Sequence, residues 1–207
     1  MGEILSNQVV LRGQVITEPA VSHKVYGEVF MEMEIGVRRI SGYEDRIPVT
    51  ISGRLFGKEM PVLGDFLWIQ GQVRTYNRYI QGKNRLIITI FAQNVKKEEA
   101  SDEFRHENRV SLEGYLCREP YYRISPLGRE IADLMVAVNR MYGKSDYVPC
   151  IAWGRNAKYA KTLDVGQKIR LAGRIQSREY RKKGENGTFL PGIAREVSIY
   201  KIEEEEE

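Results

Sequence analysis

Apolar residues recur at every second position along much of this chain, the period of strands that bury one face. In the stretch Tyr147-Val-Pro-Cys-Ile-Ala-Trp-Gly154 both alternating sets are apolar: Tyr147, Pro149, Ile151 and Trp153 on one side, Val148, Cys150 and Ala152 on the other. A strand needs one such face for a core, so the second requires a cover: a sister sheet, a partner chain or a ligand with flat apolar surfaces. The same stretch stands 101 residues earlier as Arg46 to Gly53. There Ile47, Val49 and Ile51 keep the inner face, while Arg46, Pro48, Thr50 and Ser52 form the other.

The offset holds along the whole chain. Asn7, Val9, Leu11, Gly13, Glu18 and Pro19 fall on Asn108, Val110, Leu112, Gly114, Glu119 and Pro120. Met33, Ile35 and Val37 fall on Leu134, Val136 and Val138, and Pro48 and Gly53 on Pro149 and Gly154. After one inserted residue, Gly64, Ile69, Gly71, Val73 and Val95 match Gly166, Leu171, Gly173, Ile175 and Val197, which makes the chain a tandem duplication.

Each copy predicts the same elements. A strand from Val9 to Ile16, or Val110 to Cys117, carries a glycine suited to a bend that lets it serve two sheets, and a Glu-Pro pair follows it. A second strand holds Met31, Met33, Ile35 and Val37, or Ala132, Leu134, Val136 and Val138, and the central strand comes third. Residues 155–163 predict a short helix, with a weaker counterpart around Gly57 and Pro61. A hairpin closes each copy, turning near Gln81–Asn84 and Lys182–Gly187. Strand, strand, strand, helix, hairpin is the order of an OB-fold, so the expected class is all-β with one short helix per domain: tandem five-stranded Greek-key barrels. The expected divisions are residues 1–97, a polar linker at 98–107 in which two helical turns would also fit, residues 108–202, and the acidic run 203–207, read as a solvated tail.

Composition adds an asymmetry. Residues 1–104 hold 13 Lys+Arg against 13 Asp+Glu, whereas residues 105–202 hold 19 against 10, a surplus of nine in the half with the aromatic strand. Cations for phosphates and exposed aromatics for unpaired bases are what a single-stranded nucleic acid requires. Arg178, Arg181, Lys182 and Lys183, beside Tyr180, form a basic hairpin. Catalytic signatures are lacking: there is no HExxH, nucleophile elbow, P-loop or CxxC, so an enzyme, a metal and a cofactor are not expected. His23 and His106 read as surface or loop residues, and Cys117 and Cys150 as reduced core thiols of a cytoplasmic protein. No apolar run approaches the roughly 18 to 20 residues that span a bilayer.

The second copy resembles the bacterial single-stranded DNA-binding proteins over nearly its whole length. The resemblance is carried by Asn108-Arg-Val-Ser-Leu-Glu-Gly114, Arg118-Glu-Pro120, Ser125-Pro-Leu-Gly128, Val136-Ala-Val-Asn-Arg140, Ile151-Ala-Trp-Gly-Arg-Asn-Ala157, Val165-Gly166 and Leu171-Ala-Gly-Arg-Ile-Gln-Ser-Arg-Glu-Tyr180, in that order and spacing. The first copy resembles the family only in its glycines and core. The resemblance implies base-stacking aromatics at Tyr142, Tyr147, Trp153 and Tyr180, where the first copy has Ser41, Arg46, Ser52 and Arg78. Arg140 and Arg155, within the same motifs, join Arg178, Arg181, Lys182 and Lys183 as candidate phosphate contacts; Arg46, Arg78, Tyr76 and Tyr79 are secondary candidates in the first copy.

The family also implies an assembly of four OB domains, here a homodimer, acting on single-stranded DNA in replication, recombination or repair in the cytoplasm at the nucleoid. Its long spacer and acidic tip ending in an apolar residue have no counterpart in this sequence, although replication or repair proteins stay candidate partners. Trp68 and Phe66, outward by parity in the near-neutral copy, are the candidate interface. Two alternatives fit the same residues: a single-stranded RNA binder, since only contacts to the 2′-OH separate the substrates, and an OB-fold protein scaffold without strand affinity.

Overall fold

A computed structural model describes residues 6–57, 59–80, 82–101, 104–183 and 189–204. In the first half, β1 (Asn7–Val15), β3 (Glu28–Arg38), β4 (Glu44–Ser52), β5 (Phe66–Ile80) and β6 (Lys83–Glu98) close a barrel, with β2 (Ala20–Val25) added at its edge. The second half repeats this with β7 (Glu107–Leu116), β9 (Glu130–Asn139), β10 (Ser145–Trp153), β11 (Lys168–Lys183) and β12 (Phe189–Glu204), and with β8 (Tyr121–Ile124) at the edge. The two edge strands are the elements that sequence periodicity does not reveal. Every β2 residue is exposed, so it carries no inward alternation to read.

The barrel strands form where alternation dictates. Residues at even spacing along β1 are buried in turn, placing Val9, Leu11 and Val15 in a core with Met33, Ile35, Ile47, Val49, Ile51, Leu67, Ile69 and Ile90. Each such side chain contributes about 1.5–3 kcal/mol by leaving water. β1 bonds β5 along Val9–Gln14 and then passes to β3 at Gln14 and Val15; β7 does the same between β11 and β9. The glycine at the crossing is needed for close approach. A Cβ at Gly13 would meet the Gly36 carbonyl oxygen, and one at Gly114 that of Ala137.

Between the third and fourth barrel strands the second half has α1 (Arg155–Ala160), which buries Ala157 and Ala160; among the described residues the first half has a 3-10 turn at Gly53–Leu55 in its place. No described residue of the linker is helical. β6 runs on to Glu98, and the following segment places Phe104 against Phe66, ring centroids 4.5 Å apart, and His106 against Phe104 at 5.1 Å. Nor is all of the acidic run a free tail: Glu203 and Glu204 belong to β12, opposite Arg170 and Ile169, while residues 205–207 lie outside the described residues.

The two halves are joined by β1 and β7. They pair antiparallel with Val9 opposite Val110, its own counterpart, and with Asn7–Leu112 and Leu11–Asn108 as reciprocal pairs. A twofold pseudo-symmetry axis therefore passes between Val9 and Val110, and the twelve strands form one sheet. Asn7 and Asn108 repeat each other's work inside their barrels, each bonding both backbone groups of one residue, Val73 and Ile175 respectively.

Candidate nucleic-acid interface

The loops that carry the candidate stacking residues are held from across the domain boundary. Asp146 is fully buried, is gripped by the Arg140 guanidinium, and accepts from the Thr75 backbone N–H of the first domain at 2.5 Å. The Thr75 hydroxyl oxygen accepts from the Tyr147 N–H at 3.0 Å. The mirror arrangement is complete: Arg39 grips Asp45 at 2.6 and 2.7 Å, Asp45 accepts from Ser177 N–H at 2.7 Å, and Ser177 Oγ accepts from Arg46 N–H at 3.0 Å. The hydrogen bond to Asp45 holds the Arg39 proton more tightly than usual. Arg74 sits 3.4 Å from Asp146, and burial there lowers its pKa. These buried pairs fix the entry to β4 and β10, and with it the position of Tyr147.

On the outer face of β10, Tyr147 is 52% exposed and Trp153 is 36% exposed. Trp153 Nε1 donates to Ser198 Oγ at 3.2 Å, which sets the ring's orientation while leaving area open. Trp153, Ile151 and Pro149 border a groove of about 490 Å³ whose charged walls include Arg118, Arg123 and Arg178. Arg123 is paired with Asp133 at 2.9 Å, whereas Arg178 is exposed and has no ion pair with a described residue. Apolar floor, aromatic edge and cationic wall are the chemistry that flat rings and phosphates require, alongside the carboxylates of Asp133 and Glu196 in the same lining. Cys150, from the opposite face of β10, is buried, and burial raises its thiol pKa. Cys117 is half-buried rather than in the core.

The other candidates divide. Tyr180 is half-buried over Gly192, where a Cβ would lie 2.5 Å from the ring, and its hydroxyl accepts from Arg85 of the first domain at 3.5 Å. Arg155 is exposed at the start of α1, and Arg181 is exposed on β11. The backbone of Tyr142 lies in the turn Met141–Gly143; its side chain, like those of Lys182 and Lys183, lies outside the described residues. Arg140 does not stand with the free cations, because Asp146 and the Thr75 carbonyl occupy its guanidinium. Periodicity cannot separate a phosphate-binding arginine from one that neutralises a buried carboxylate six residues away.

In the first domain Tyr79 is 72% exposed, Arg78 is exposed, and Tyr76 points its hydroxyl at Glu32, 3.5 Å away; burial and Glu32 raise its pKa. Arg46 is paired with Glu34 at 2.8 Å, and its carbonyl accepts from Arg195. Ser52 bonds Glu28 and is nearly buried. Half-buried Phe66 packs edge-on against Phe104 within the chain, while half-buried Trp68 has the Lys96 ammonium 5.4 Å from its ring. His106 is no simple surface histidine: it is half-buried at the domain junction, and burial and Arg38 lower its pKa. Arg118, Arg123 and Tyr43 were not singled out by the sequence as site residues; Arg118 stands inside a quoted motif, but nothing local marks the other two.

Two closed barrels that share one sheet define a tandem OB-fold protein. The fold is that of the single-stranded DNA binding protein from Thermus aquaticus, whose crystal structure superposes with a TM-score of 0.74 at 20% identity, covering 97% of this chain and 93% of that one. Residues 107–200, the second domain, match the model of the single-strand binding protein family. Among relatives, "Single-stranded DNA-binding protein 2" of Listeria innocua is 31% identical over 96 residues, 43% of this chain and 60% of that protein. "Single-stranded DNA-binding protein A" of Bacillus subtilis is also 31% identical over 96 residues, 43% of this chain and 56% of that one. The chain thus spans less than two thirds of these relatives' length.

Proposed function

We propose that the protein binds single-stranded DNA with little regard to sequence and performs no chemistry on it, protecting strands exposed in replication, recombination or repair. The observation that carries this is the outer face of β10, where Trp153 stands partly exposed in one groove with Arg118, Arg123 and Arg178, and Tyr147 stands partly exposed further along the strand. The first domain has Ser52 and Arg46 at the corresponding positions, both engaged with its own carboxylates. The second domain therefore supplies most of the binding energy, and the first contributes architecture and phosphate contacts through Arg78.

The reading extends to a homodimer presenting four OB domains, acting in the cytoplasm. Half-buried Trp68, on the outer side of β5, supports an interface on that face. No helix among the described residues is long and apolar enough to cross a membrane.

The test is a mobility assay with single-stranded DNA, single-stranded RNA and duplex of equal length at two salt concentrations. Preference for the DNA strand, with log affinity falling by about 0.7 per phosphate contact against log salt, supports the proposal. Preference for RNA would reassign the substrate, and absence of strand affinity would make the molecule a protein scaffold. Light scattering should report twice the chain mass of 23.9 kDa; a monomer overturns the dimer.

A further inference from the structure

The groove beside Trp153 does not stop at the edge of the second domain. Trp153 and Arg178 also line an adjoining hollow of about 340 Å³ whose far wall is Arg39 and Tyr43 of the first domain. Arg39 in turn borders a hollow of about 460 Å³ that reaches Arg38, His106 and Arg174. The shared residues make the three hollows one path across the domain boundary. Arg174 and Arg178 stand along it at the even spacing that puts strand side chains on one face.

Two features of this path are not accounted for by folding. The Tyr43 ring lies beneath the Arg39 guanidinium, 4.6 Å from its centroid, and the loop behind it is closed by Arg39 N–H donating to the Tyr43 carbonyl at 2.8 Å. The ring is thus held in place, yet the residue is 42% exposed on the wall facing Trp153. Further along, Arg174 Nε and His106 Nδ1 are buried without a hydrogen-bond partner. Native interiors hold few such atoms, and an arginine Nε–H can be satisfied only by an acceptor.

The feature is one-sided. Across the pseudo-twofold axis the counterparts of Arg38, Tyr43 and Arg174 are Asn139, Lys144 and Gln72, so neither the ring nor the pair of cations is repeated. The lock residues Arg39 and Arg140 are the same on both sides. The shared architecture therefore does not demand Tyr43 or Arg174, and Arg38, mostly exposed, has an ion pair with Glu44 at 3.6 Å on the adjoining strand.

We infer that a bound strand crosses between the domains here: Tyr43 stacks on a base beyond Trp153, and Arg174 with Arg38 takes the phosphate that follows. This rests on the strand-binding function proposed above and adds to it a subsite shared by both domains, specific for an aromatic ring followed by a phosphate diester. A crossing of this kind couples the domains, because the strand can occupy it only after leaving the second domain's aromatic face.

The test compares two single-stranded DNAs: one of about 8 nucleotides, within the span of one OB domain, and one of about 20 nucleotides that must leave it. The parent should gain affinity with the longer strand. Tyr43→Ala should weaken binding of the longer strand about fivefold or more, and Arg174→Gln should lower the slope of log affinity against log salt by about 0.7. Both variants should melt no lower than the parent, since Tyr43 is exposed and Arg174 Nε gives up no partner. If both bind the longer strand like the parent, with unchanged salt slope, while Trp153→Ala is weakened, the crossing is wrong and strand binding stands. A loss equal for both lengths and accompanied by a lower melting temperature would also overturn it, making the residues structural. A parent that binds neither strand would remove the function on which the inference rests.

Discussion

The two domains are one barrel written twice, and what they share differs in kind from what they do not. Asn7 and Asn108, Arg39–Asp45 and Arg140–Asp146, Thr75 and Ser177, and the crossing glycines Gly13 and Gly114 recur with the same bonds to the same backbone groups. The differences gather on the outer face: Trp153 against Ser52, Tyr147 against Arg46, Tyr180 against Arg78. These repeated features close a barrel or lock it to its neighbour, whereas Tyr147 and Trp153, where the copies diverge, are exposed on the outer face. A duplicated chain thus separates scaffold from binding surface without reference to any other protein.

The largest effect should fall on the repeated features. Asp146→Ala leaves Arg140 and Arg74 without their carboxylate and frees the Thr75 N–H, so chemical denaturation should show a loss of about 3–5 kcal/mol. Asp45→Ala should cost a similar amount through Arg39, and a much smaller loss would mean that the lock is symmetric in geometry but not in energy.

The divergent features come next. Trp153→Ala should weaken strand binding roughly five- to a hundredfold, the equivalent of about 1–3 kcal/mol for one stacked base. The two tryptophans report separately: strand addition should quench fluorescence in Trp68→Phe far more than in Trp153→Phe. A quench carried by Trp68 would reverse the roles assigned to the domains. A smaller change tests Tyr180. In Gly192→Ala the new methyl lies within 2.5 Å of the ring and must displace it, so affinity should fall by less than the about fivefold expected for losing a whole stacked base. An unchanged affinity would take Tyr180 out of the site.

The smallest effect concerns His106, which the first domain does not duplicate. Its folded pKa lies below the ordinary value of 6.5, so the unfolded chain binds the proton more readily. Its contribution to stability is present above that value and is lost as pH falls through it. The melting temperature should drop slightly on acidification below pH 6.5, and His106→Gln should flatten that slope. A steeper slope in the variant would contradict the sign.

The sequence alone determined the duplication, the barrel strands and the aromatic face of β10, because a period of two residues and an offset of 101 are properties of order along a chain. It also marked the second half as the charged one. The partners of those charges were decided by tertiary structure: Arg140 looks like Arg178 in sequence, but one neutralises buried Asp146 and the other faces a groove. The same holds for the packing of Phe66 on Phe104 and for the hollow that Tyr43 and Trp153, 110 residues apart, line together. Burial and pairing depend on which distant segments the fold brings within a few ångströms, and no local pattern encodes that distance.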